Sequence, residues 1–306
     1  MTNVVSLVRT SSANIKNSIG QALTLIDFDL RKPVKTVVIK PNLCYYWASA
    51  TGQTTDPQVV SAIVDAVREI YGEDVNIKVA EADASAMRTK YAFNCLGYEE
   101  LSLKKEVELL NLSSDELIEK TVTVGERQMS FLVPQHLLSC DLFINVPKLK
   151  YMRETKITCA MKNVFGCIGF PRKAKYHPYL NEAIVGINKI LHPHLTIVDG
   201  LVGLGKLPTK LGLIMAGTDT FSVDCIASRL LGYKPSSVKC LTIARREKLG
   251  LSFEVTTRGE AVEEYAGLIS TQNSIIPQKY KWSLQLAALK LYQRLSGDII
   301  PPALEG

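Results

Sequence analysis

No Cys-x-x-Cys occurs anywhere in the 306 residues, and the seven cysteines (44, 95, 140, 159, 167, 225 and 240) are scattered and odd in number. This excludes a disulfide framework and the usual local cluster-binding run, and it predicts reduced thiols in a cytoplasmic protein. No apolar run approaches the roughly 18 residues of a transmembrane helix, and Met1 to Thr10 lacks a signal-peptide core. Also missing are a Gly-x-Gly-x-x-Gly after the first strand and a Walker Gly-Lys-Ser/Thr. There is thus no nicotinamide or flavin fingerprint, and a dinucleotide enzyme is not expected. Tracts that interleave Arg with aromatic residues are absent, so nucleic acid is not expected as a partner.

What is present is enough apolar residue, 46%, for a large core, with 22% charged. The net charge is +6, and its placement matters more than its size. Lys148, Lys150, Arg153, Lys156, Lys162, Arg172, Lys173 and Lys175 face a single acid, Glu154, within one stretch, and the rest of the chain is close to neutral. Local basicity of this kind implies an acidic ligand.

Hydrophobic periodicity predicts alternating strands and helices. Val37 to Ile39 reads as a strand closed by Lys40-Pro41-Asn42, because the residue before proline is pushed to extended geometry. Asp56 as N-cap, Pro57 at the first helical position and Gly72 at the end bound a helix whose apolar face holds Val60, Ile63, Val64 and Val67. Val75 to Ala80 is the next strand, which makes a βαβ unit and argues for a parallel sheet. The fold class expected is α/β: a Rossmann-like, mostly parallel sheet flanked by helices, with a small antiparallel β insertion. The expected organisation is an N-terminal segment (1–35) packed on an α/β core (36–260, insertion about 105–133), then a C-terminal helix and tail (261–306).

Five strand ends carry polar or turn residues: Lys40-Pro41-Asn42, Glu81-Ala82-Asp83, Pro147-Lys148, Asp199-Gly200 and Gly217-Thr218-Asp219. In an open parallel sheet these gather on one edge, where ligands bind. After the strand Leu142–Val146, a short helix from Thr155 is expected to place Thr155, Cys159, Lys162, Asn163 and Gly166 on one face. Its free N-terminal N–H groups would then favour an anion near the sheet edge. Arg172 to Lys175 would form a rim.

Several blocks resemble the family known as domain of unknown function 362, from bacteria and archaea. They are Val38-Ile39-Lys40-Pro41-Asn42, Thr55-Asp56-Pro57, Glu81, Val146-Pro147-Lys148-Leu149-Lys150 and Thr158-Cys159-Ala160-Met161-Lys162-Asn163-Val164-Phe165-Gly166. His177, Ile197-Val198-Asp199-Gly200 and Ala216 to Asp224 complete the pattern. The resemblance spans roughly residues 36–232 and implies a fold more than a chemistry. Many members carry a ferredoxin-like module that this chain lacks. The family is also similar in fold to the N-terminal domain of nickel-pincer lactate racemases, whose histidine pair does not recur here. Tyr151 stands where a histidine is common, and Gly203 to Pro208 replaces a common Gly-Pro-x-x-Gly pattern.

Three functions stay open. The first is an enzyme, or enzyme-like protein, acting on a small anionic metabolite in a lysine-rich cleft. Lys40, Lys148 and Lys150 would clamp phosphate or carboxylate oxygens, Asn42, Asn163 and Gly166 would complete the binding site, and Glu81, Lys162 or His177 would serve in catalysis. The second is a metal- or iron–sulfur-associated redox protein using Cys159, Cys167 and His177. The third is a binding module in which the basic amphipathic segment Lys279 to Leu295 lies on a membrane surface or partner.

Overall fold

The computed structural model describes residues 4–29, 32–85 and 87–271. The chain opens with strand β1 (Val4–Arg9) and helix α1 (Ile15–Leu25), followed by β2 (Thr36–Pro41), α2 (Pro57–Tyr71) and β3 (Asn76–Glu81). Helices α3 (Thr89–Cys95) and α4 (Tyr98–Lys105) lead to β4 (Glu108–Asn111). Next come the hairpin strands β5 (Leu117–Val124) and β6 (Arg127–Pro134), α5 (Gln135–Ser139), β7 (Leu142–Val146), β8 (Lys148–Met152) and β9 (Lys156–Thr158). Helix α6 (Ala160–Phe165) precedes α7 (Leu180–Asn188), β10 (Leu195–Leu204), β11 (Pro208–Gly217), α8 (Thr220–Leu230), α9 (Lys239–Arg246) and β12 (Thr256–Gly259).

The main sheet runs β12-β1-β11-β10-β7-β2-β3-β4, with β8 and β9 continuing from β10, and β5-β6 form a separate two-stranded sheet. From β10 to β4 every neighbouring pair is parallel. The central strands explain themselves: β7 is buried throughout and β2 nearly so, as strands covered on both faces must be. Alternate residues feed two cores. Val38, Ala80, Phe143 and Val198 join the helices from α6 onward, while Val37, Ile39, Val79 and Ile144 pack against α1, α2 and the α3–α4 pair. Helix α2 has the predicted boundaries, with Asp56 accepting the Gln58 N–H and Gly72 at φ +94° closing it.

Two sequence expectations need correction. Residues 148–158 form an antiparallel hairpin, not the start of a helix: β8 pairs β9 from Lys150–Thr158 to Met152–Lys156. Leu149 and Ile157 supply the buried positions, and the period is two rather than 3.6. Thr155 and Cys159 therefore share no helical face with Lys162. Second, β11 runs antiparallel to β10, with Gly217 opposite Thr196. Its end at Gly217-Thr218-Asp219 thus lies away from Lys40, Glu81 and Lys148, and Asp199-Gly200 is not a strand end but the middle of β10, which runs on to Leu204. Asp219 caps α8 by accepting the Phe221 and Ser222 N–H groups. Gly203 belongs to β10 and Pro208 to β11, so the glycine-rich stretch closes the hairpin between them.

Candidate functional site: a buried lysine cluster at the strand edge

Strands β2 and β3 are parallel neighbours, so Lys40 and Glu81 leave the sheet side by side. The Lys40 side chain is 1% exposed, and its Nζ lies 2.7 Å from both Glu81 carboxylate oxygens. It also donates to the Pro41 carbonyl at 2.8 Å. Glu81 accepts the Leu43 and Ala82 N–H groups, each at 3.0 Å, which fixes the chain as it leaves both strands. Asn163 of α6 seals this corner. Its amide donates to the Lys40 carbonyl (3.2 Å), to the Pro41 carbonyl (3.4 Å) and to Asn145 Oδ1 (2.8 Å). At Gly166, which caps α6, a Cβ would stand 3.0 Å from Lys40 Nζ and 2.9 Å from the Asn163 carbonyl, so only a hydrogen fits.

A second buried pair lies one strand further on. Lys148 Nζ is 3.0 Å from Asp199 Oδ2, with side chains 1% and 0% exposed. The contact is coulombic, because Lys148 Nζ has no aligned hydrogen-bond acceptor. Asp199 in turn accepts the Asp56 N–H at 2.7 Å and the Leu201 N–H at 3.0 Å. This ties the loop after β2 to the middle of β10. Thr55 strengthens the tie, with its hydroxyl donating to the Val146 carbonyl.

Two residues along β8, Lys150 points the same way. It has no carboxylate. Its Nζ donates to Asn42 Oδ1 at 2.6 Å and to the Gln53 carbonyl at 2.8 Å. Burial lowers its pKa to about 8; Cys44 opposes the shift, while the charges of Lys162, Lys148 and Lys40 add to it. Lys162 on α6 is partly buried and has no hydrogen-bond or ion-pair partner among the described residues. Burial lowers its pKa as well.

Lys173, expected on an exposed rim, is instead buried. It donates to the Asp83 and Gly166 carbonyls, each at 2.9 Å, and burial brings its pKa down to about 8. Arg172 and Lys175 are exposed, as a rim requires. The N-terminus of α6 is not open to an anion. Asp224 of α8 already accepts the Ala160 N–H at 2.6 Å and the Met161 N–H at 3.1 Å. Burial raises Asp224 to about 7 and pushes the adjoining Cys159 thiol well above its ordinary range. Sequence reasoning missed this role for Asp224, since only the packing of α8 on α6 brings it there.

The chain matches the family model described as Domain of unknown function (DUF362) over residues 37–229. It belongs to that family. A curated relative, a thylakoid-associated protein of Synechocystis sp., is 26% identical over 270 residues, covering 82% of this chain and 81% of the relative. Among solved structures, the lactate racemase apoprotein of Thermoanaerobacterium thermosaccharolyticum is similar at a TM-score of 0.39 and 12% identity. That alignment covers 70% of this chain and 54% of the racemase.

In this DUF362 protein the blocks shared with the family converge on the cluster just described. Lys40, Asn42, Glu81, Lys148, Lys150, Lys162, Asn163 and Gly166 are brought together by β2 and the loop after it, by the end of β3, by β8 and by α6 with its cap. His177 is not tied into it: the side chain is exposed on the 3-10 turn Lys173–Tyr179, with no hydrogen-bond or ion-pair partner among the described residues. Cys159 and Cys167 are buried free thiols. No group of three or more His, Cys, Asp or Glu able to hold a metal occurs among the described residues, so Cys159, Cys167 and His177 do not form a ligand set. The basic C-terminal segment 279–295 lies outside the described residues. Among those described, no helix is long and apolar enough to cross a membrane.

Proposed function

We propose that this protein is an enzyme that binds a small phosphate- or carboxylate-bearing metabolite at the lysine cluster. One observation carries the reading: Lys150 feels the charge of Lys162 and donates only to uncharged oxygens, while Lys162 makes no ion pair among the described residues and meets Glu154 through its field alone. Lys40 and Lys148 have Glu81 and Asp199, so their charge is already committed. Buried or half-buried cations are normally paired, because desolvating an unpaired charge is costly. An anion between Lys150 and Lys162 would supply the missing counter-charge, each charge-assisted bond contributing roughly 1.5–3 kcal/mol. Glu81, engaged by Lys40 and two N–H groups, is better suited to hold the framework than to take a proton.

Thermal unfolding tests this at constant ionic strength. Phosphate, pyrophosphate or a dicarboxylate should raise the melting temperature of the wild type by mass action. In Lys162→Ala the rise should vanish, while the unliganded melting temperature stays near that of the wild type, since Lys162 makes no hydrogen bond or ion pair among the described residues. Equal responses in the two proteins would sink the assignment.

A second reading rests on the curated relative's association with thylakoids. By it, the protein sits at a membrane surface through the basic segment beyond residue 271. Co-sedimentation with anionic liposomes, by the full chain but not by a soluble chain ending at residue 271, would support it. Equal pelleting of the two would reject it.

A further inference from the structure

We propose that Lys150 forms an imine with a small carbonyl compound bearing an anionic group, the amine held by Asn42 and Gln53 and the anion met by Lys162. This rests on the anion-site reading and goes further by naming a nucleophile and a substrate class.

The surroundings of Nζ suit a lysine that gives up its proton near pH 8, because nothing charged among the described residues accepts from it. Among those residues Lys150 donates to two acceptors, Asn42 Oδ1 at 2.6 Å and the Gln53 carbonyl at 2.8 Å, which serve both N–H bonds of the amine once the proton is lost. Both acceptors are uncharged. A neutral amine has two N–H bonds and one lone pair. With both N–H bonds directed at those oxygens, the lone pair occupies the remaining tetrahedral direction. The other buried lysines differ. Lys40 and Lys148 each face a carboxylate. Lys173 also faces two carbonyls, but it lies among Glu81, Lys40, Cys167 and Asp83, the inner side of the cluster. Lys150 neighbours Cys44 and Lys162, both partly exposed, so its side of the cluster reaches solvent.

Desolvation and neighbouring cations are the means by which a lysine becomes nucleophilic near neutral pH, and both act here. The Lys150 lone pair adds to the carbonyl carbon, and a proton passes from nitrogen to the carbonyl oxygen to give a carbinolamine. The hydroxyl then leaves with a proton as water, forming the C=N bond. No oxidant or reductant is consumed. The protonated iminium keeps a single N–H bond, which Asn42 Oδ1 or the Gln53 carbonyl accepts.

Borohydride trapping on the full-length protein tests this. The probes are pyruvate and dihydroxyacetone phosphate, with acetone as the uncharged control, and the site of reduced adduct is mapped by peptide mass spectrometry. Expected is adduct on Lys150 with at least one anionic probe, about ten-fold above acetone at equal concentration, the worth of one charge-assisted contact. Lys162→Ala should lose that preference. Adduct spread over exposed lysines, adduct on Lys173 instead, or none on Lys150 would overturn the proposal. Mapping in the wild type needs no variant to fold. Melting temperatures with phosphate and lactate, which carry no carbonyl, separate the two ideas. A Lys162-dependent rise without trapping rejects the imine alone, and no rise with either anion rejects the anion site as well.

Discussion

Lys148 and Asp199 face each other across paired strands β8 and β10, 3.0 Å apart and shut off from solvent. Removing one member leaves the other as an uncompensated buried charge. Lys148→Ala should therefore cost about 3–5 kcal/mol in urea unfolding, well beyond a surface lysine. Asp199 also receives the Asp56 and Leu201 N–H groups, so Asp199→Asn should be costly too. The double variant Lys148→Ala/Asp199→Asn should cost well under the sum of the two single losses, because no charge stays buried. Simple additivity of the single effects would show that the two charges are not coupled.

Gly166 and Lys40 are coupled by contact rather than charge. A methyl at Gly166 would sit 3.0 Å from Lys40 Nζ and 3.2 Å from its Cε, against a side chain pinned by Glu81. The Asn163 carbonyl at 2.9 Å blocks movement the other way. Gly166→Ala should destabilise by about 1–3 kcal/mol, the range for overpacking a full site. Its φ of −61° is ordinary for alanine, so backbone strain is not the cause. Full wild-type stability in Gly166→Ala would mean that Lys40 can leave Glu81 without cost.

Asp224 holds α6 by its first two N–H groups. Asp224→Ala would leave both buried donors without an acceptor, a loss of about 1–3 kcal/mol for each group left unsatisfied. Since α6 carries Lys162 and Asn163, the same variant should also weaken the anion-induced rise in melting temperature. Hydrogen exchange of the Ala160 and Met161 amides reads the local effect directly. Unchanged protection there would remove Asp224 from any role in placing Lys162.

The limits of the sequence follow from where each interaction lies. Asp56, Pro57 and Gly72 bound α2 by local backbone chemistry, so they could be read without knowing the fold. Val37-Val38-Ile39 followed by Lys40-Pro41 was equally legible, because a short apolar run before proline is a strand end. Leu149 and Ile157 were not. Lys-Leu-Lys and Lys-Ile-Thr fit a helical face as well as a hairpin, and the choice is made by β8 pairing to β10. The lysines were visible as a basic run, but their division was hidden. Lys40 finds its carboxylate 41 residues away, on another strand, and Lys150 finds none. Lys173 looked like a solvated rim residue, and only the packing against Asp83 and Gly166 buries it.

Lys150 also makes a prediction about pH. Its folded pKa of about 8 lies below the ordinary lysine value of 10.5, so the folded state sheds this proton before the unfolded chain does. Between about pH 8 and 10.5 the unfolded state holds more protons, and stability therefore gains with rising pH from this group. Below pH 8 both states are protonated, and holding the charge in the folded state is a standing cost of about 3 kcal/mol relative to the deprotonated form. Lys173 contributes in the same direction, and the tyrosines whose pKa burial raises, Tyr98 among them, act oppositely at the alkaline end. The useful quantity is therefore a difference. The unfolding free energy of the wild type minus that of Lys150→Met should rise from pH 7.5 to 10 by roughly 2 kcal/mol, as most of that cost is relieved. A flat difference would mean that Lys150 keeps its proton at an ordinary pKa. In that case an unseen counter-charge already sits against it, and its amine is not available at neutral pH.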